Sequence, residues 1–146
     1  MKSVQIVNRT RDSVLGTRVG LADSWWQRVR GFLRRPQPKH GEGLLLSPCR
    51  AVHMVGMAYS LDILFLDRHG QVVAQYPDLK PGRSTAWHAR AKYALELPQG
   101  TIMASKTQQG DHVVWLINEG NDGAATATRA ATLEESNTNS RSAASA

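Results

Sequence analysis

The chain has 146 residues, 41% of them hydrophobic and 21% charged, with a net charge of +6 and a single cysteine, Cys49. That length suits one domain rather than two, the lone cysteine excludes an intrachain disulfide, and no apolar run approaches the roughly 20 residues of a membrane helix. The N-terminus MKSVQIVNRTRDSVLG lacks the apolar segment of a secretory leader, so a cytoplasmic location is expected.

Val4 and Ile6 alternate with polar neighbours in SVQIVN, and residues 14–21 form a second weakly alternating run, so the chain opens with two strands or a hairpin. In ADSWWQRVRGFLRR the residues Trp25, Trp26, Val29, Phe32 and Leu33 follow a helical period, with Asp23 or Ser24 as N-cap and Pro36 beyond the end. The opposite face carries Arg28, Arg30, Arg34 and Arg35, and residues 1–40 hold a net charge of +7. Such a basic face makes nucleic acid an alternative partner, although no zinc-finger spacing or aromatic RNA-binding signature accompanies it.

GLLLS and SLDILFLD read as buried strands, the second directing Leu61, Ile63 and Phe65 one way and Asp62, Leu64 and Leu66 the other. DRHG turns the chain, with Gly70 supplying a positive φ, and QVVAQYPD returns to complete a hairpin over residues 60–77. LKPGRSTAWHARA shows turn residues and no period; it is a long loop of the kind that often carries function. AKYALELP alternates as a strand, GTIMASKTQQGD reads as a short helix with Gly110 past its end, and HVVWLI is the last strand. The expected architecture is α+β: a single compact domain over residues 1–118, dominated by antiparallel β-sheet and barrel-like, with an amphipathic helix near 23–34 and a short helix near 100–108. Residues 119–146 are Ala, Ser, Thr and Asn with almost no large apolar side chain, the composition of a flexible, disordered tail.

The ordered set VHMVGM, LDILFLDRHGQVV, LKPGR, ALELPQGTI and QQGDHV resembles domain of unknown function family 192, and RVRGFLRR stands where that family has its Arg-Gly-Leu-Met helix element. The resemblance implies a compact β-rich domain and points to His53, Met57, Asp62, Phe65, Asp67, Pro81, Arg83, Leu95, Glu96 and Gly100; it implies no activity or cofactor. The chain departs from the pattern at Met54, where the family usually has Thr, and at Gly82, where it usually has an aromatic residue.

Among these positions His53, Asp62, Arg83 and Glu96 are polar residues in or beside apolar strands and turns, and they are expected to converge at one end of the sheet. There they form either a structural ion-pair network or a site for a small polar or anionic ligand, since a guanidinium matches carboxylate and phosphate. Cys49, His53 and Met57 are ligand types for a soft metal such as Cu(I), which gives a copper-type alternative. A Cys49 nucleophile with His53 as base and Asp62 behind it would be an enzyme, but no strained elbow or glycine-rich oxyanion loop accompanies the three. The leading reading is a small non-enzymatic ligand- or partner-binding domain.

Overall fold

Strand β1 (Ser3–Asn8) buries Val4, Ile6 and Asn8 and turns the residues between them outward, as a strand with one face on a core must. The computed structural model describes residues 2–22 and 35–117, so the helix expected near 23–34 and the tail expected over 119–146 lie outside the described residues. β2 (Ser13–Ala22) runs antiparallel to β1, and β3 (Glu42–Leu46) pairs with β2 in parallel. Parallel neighbours need a crossover of a dozen residues or more, and residues 23–41 provide that length.

β4 (Leu61–Leu66) and β5 (Val72–Leu79) form the hairpin read from the sequence, β6 (Tyr93–Pro98) is followed by the short helix α1 (Thr101–Ser105), and β7 (Val113–Ile117) is the last described strand. The seven strands lie in the order β5-β4-β6-β3-β2-β1-β7, and every pairing except β2 with β3 is antiparallel. The fold is therefore the expected α+β domain dominated by antiparallel sheet. Its two edge strands approach each other where they begin: Gln71 bridges His112, Val72 N–H donates to the Asp111 carbonyl at 2.9 Å, and Val113 N–H donates to that of Gly70 at 2.9 Å. A side chain at Gly70, where φ is +85°, would bring Cβ within 2.3 Å of the Val113 carbonyl oxygen, so this closure requires glycine on two counts.

The curled sheet has a core on each side. Inside it, Val4, Ile6, Leu15, Val19, Leu45, Leu64, Leu66, Leu95, Leu97 and Val113 pack together with Ile102 of α1. On the other face of β3, β4 and β6, Leu44, Leu46, Leu61, Ile63, Phe65 and Ala94 pack under Val52, Met54 and Ala91 of two long loops. β4 is buried on both faces, which is why its sequence is a continuous apolar run broken only by Asp62. Among the described residues no helix is long and apolar enough to cross a membrane.

Candidate functional site

The loop between β3 and β4 and the loop between β5 and β6 lie side by side, stitched by backbone hydrogen bonds. Cys49 N–H donates to the Lys92 carbonyl (3.0 Å), His88 N–H to Arg50 (2.9 Å), Thr85 N–H to Val52 (2.9 Å), Met54 N–H to Arg83 (2.8 Å) and Gly82 N–H to Met54 (2.9 Å). Val52 N–H also donates to the Thr85 hydroxyl at 3.0 Å. Strand-like alternation follows: Val52 and Met54 turn inward and are buried, while Ala51, His53 and Val55 face solvent. His53 stands opposite Ser84 in an isolated antiparallel bridge. Arg83 is exposed beside it, at the end of a turn in which Arg83 N–H donates to the Lys80 carbonyl. Gly82 has φ +78° with open space where a Cβ would stand, so the turn favours glycine through its backbone rather than through crowding.

Charge on these loops has one sign. Residues 48–60 and 80–92 carry Arg50, Lys80, Arg83, Arg90 and Lys92 together with His53 and His88, and contain no Asp or Glu; of these Lys80 is paired with Asp78 at the end of β5, Nζ to Oδ2 at 2.6 Å. An aromatic cluster fastens the second loop to the sheet: the His88 ring lies 4.7 Å from that of buried Phe65, and the Tyr76 hydroxyl is 2.7 Å from His88 Nε2 and accepts from Ala86 N–H at 3.2 Å. Next to it, Val73, Trp87, His88, Ala89 and Arg90 line an open pocket of about 290 Å³. Trp87 is 69% exposed, with the Arg50 guanidinium 6.0 Å from its ring centre.

Of the four residues expected to converge, the structure sets His53 and Arg83 on neighbouring positions of this loop pair and sends Asp62 and Glu96 elsewhere. The pleat is the reason: Asp62 is paired with Leu97, and Glu96 with Ile63, so the two carboxylates point to opposite faces of the sheet. Asp62 faces the inner core and accepts from Asp78 N–H and Ile102 N–H, both at 2.8 Å. It thereby caps α1, whose N-cap is Gly100 and offers no side chain. Glu96, buried, faces the outer core near Tyr59 and Arg35. Burial pushes the Tyr59 phenol up, the Glu96 carboxylate adds to that, and Arg35 opposes it. The Tyr59 hydroxyl donates to the Arg35 carbonyl at 3.0 Å. Arg83 is exposed, and among the described residues no ion pair joins it to Asp62 or Glu96.

Cys49 Sγ donates to the Ala51 carbonyl at 3.2 Å, and Met57 packs half-buried against the outer core. Among the described residues no group of three His, Cys, Asp or Glu side chains is placed to hold a metal ion. Arg50, Trp87 and Arg90 of these loops are not among the positions that the sequence singles out. Their signal is WHAR, an aromatic residue followed by His and Arg inside a loop already marked as long.

Residues 6–115 match a family model described as an uncharacterized ACR, domain of unknown function family 192. A UPF0127 protein of Thermococcus sibiricus is 32% identical over 121 residues, covering 78% of this chain and 76% of its own. A UPF0127 protein of Pyrococcus horikoshii is 31% identical over 116 residues, covering 76% and 98%. Among solved structures, a protein of unknown function from Novosphingobium aromaticivorans superposes with a TM-score of 0.66 at 20% identity, over 76% of this chain and 82% of that one, a likeness of fold.

Proposed function

The chain belongs to domain of unknown function family 192, and from the chemistry of its loop face we propose that it is a small, non-enzymatic, cytoplasmic domain that binds an anionic ligand through Arg83 and His53. One observation carries this reading: two hydrogen-bonded loops present Arg50, Arg83, Arg90 and Lys92 to solvent with no carboxylate within either loop, the nearest in sequence, Asp78, being paired with Lys80. A surface arginine whose nearest sequence neighbours offer no ion-pair partner presents its fork of donors to whatever anion arrives. The ladder holds the backbone beneath Arg83, so less ordering entropy is lost on binding than on a free loop. Asp62 and Glu96 support the reading indirectly, one by fixing α1 and the end of β5, the other by lying beneath the opposite loop near Tyr59.

Calorimetric titration with inorganic pyrophosphate and with ribose 5-phosphate tests the proposal. Binding should weaken as sodium chloride is raised, because exposed charges are screened within about 10 Å at 0.1 M salt. Arg83→Ala should cost about tenfold in affinity, the equivalent of about 1.4 kcal/mol. Wild-type protein that binds neither anion contradicts the proposal, as does an Arg83→Ala variant that binds both unchanged.

A further inference from the structure

Trp87 is the largest apolar side chain that the described loops leave in water. Indole rings are usually well buried, and an exposed one beside a concave pocket and cationic side chains has the makings of a binding anchor. Its setting is fixed: Ala86 before it donates its N–H to the Tyr76 hydroxyl, His88 after it donates its N–H to the Arg50 carbonyl, and the His88 ring is wedged between Phe65 and Tyr76. The indole thus projects from a backbone pinned on both sides. Arg50, held by its own Nε–H to the Ala91 carbonyl at 3.2 Å, lies over one face of the ring, and Arg90 lines the pocket at its side.

We propose that this pocket is a stacking subsite, so that the ligand of the loop face is a planar aromatic anion, its ring against the face of Trp87 that Arg50 does not cover, with Arg90 at its side, and its charged group at Arg83 and His53. The proposal rests on the anion-binding reading above and adds to it the aromatic part of the ligand. Arg50 and Trp87 lie three and four residues along the same ladder from His53 and Arg83, a span of roughly 10 to 13 Å at about 3.3 Å per residue. A ligand about the size of a mononucleotide bridges that span. Aromatic stacking gives affinity without demanding one ring identity, because any planar ring has a π-face.

The test compares adenosine 5′-monophosphate with ribose 5-phosphate, which share a phosphorylated ribose and differ in the ring, by calorimetry on the full chain at fixed ionic strength. The monophosphate should bind at least about tenfold more tightly, a typical contribution of one stacked ring. Trp87→Ala should bring it down to the level of ribose 5-phosphate without altering the latter, and Trp87→Phe should keep part of the difference. Equal affinities of wild type for the two probes would overturn the stacking subsite while leaving the anion site standing. An advantage that survives in Trp87→Ala would overturn it too. Absence of binding by either probe removes both.

Discussion

Asp62 and Arg83 show at the level of single residues how a polar side chain in an apolar setting can serve opposite ends. Asp62 is buried and both of its oxygens are taken by backbone N–H groups of Asp78 and Ile102. Asp62→Ala should therefore destabilise the fold by about 2 to 4 kcal/mol, since each orphaned buried donor costs about 1 to 3 kcal/mol; urea unfolding measures it. Arg83 is exposed, and Arg83→Ala should change stability by no more than about half a kcal/mol. A large loss at Arg83 would mean that it supports the fold. The sequence shows that Asp62 is anomalous in an apolar strand, but its partners are main-chain groups 16 and 40 residues away, which no side-chain pattern records. The same blindness covers Glu96: two carboxylates on adjacent strands share a face or oppose each other according to register, and a shift of one residue reverses the answer.

Among the elements, the strands were the most legible because hydrophobic period follows backbone period. In β4 the division of Leu61, Ile63 and Phe65 from Asp62, Leu64 and Leu66 is the division between the outer and inner cores. Phe65 is fully buried beneath Tyr76 and His88, so Phe65→Ala should cost about 3 to 5 kcal/mol and loosen the β5–β6 loop, which hydrogen exchange at Ala86 and His88 would register. The short helix was expected near 100–108 and spans Thr101–Ser105. It ends early because Lys106 turns left-handed at φ 57° and Thr107 is needed by Asn8, whose Nδ2 donates to its hydroxyl at 3.1 Å. The loop ladder was illegible, because backbone bonds between two irregular segments leave no residue signature.

That corner of the fold also sets a pH dependence. Asn8 Nδ2, Arg11 Nε and Gln108 N–H all donate to Asp111 Oδ2, at 3.0, 3.0 and 2.9 Å. Burial works to raise the Asp111 carboxyl, but these bonds and the Arg11 charge together hold it below its usual 3.8. A carboxyl lowered in the folded state contributes stability above its unfolded value and loses it as pH falls through the folded one. Acidification from about pH 5 to about pH 2 should therefore weaken the wild type more steeply than Asp111→Asn, as thermal melts across that range would show. Parallel slopes would mean that the network contributes nothing through its charge.

At the scale of the molecule, a curled sheet closed at Gln71 and His112 gives the two loops a rigid base, and they cover the outer core while exposing a basic face. Residues 121–146, whose composition offers no apolar face for docking, should be removable without a change in melting temperature; a clear fall on truncation would show that they pack on the domain. The barrel-like β-rich character was readable from seven short patterned segments, whereas the parallel pairing of β2 with β3 was not, since strand direction depends on where a crossover lands. The claim that joins these levels is that the paired loops are the binding face. Its most direct measurement is the amide nuclear magnetic resonance spectrum of the full chain titrated with ribose 5-phosphate. Shifts concentrated at residues 49–54 and 82–92, and lost in Arg83→Ala, are the expected result. Shifts confined to other parts of the sheet, or none at all, would contradict it.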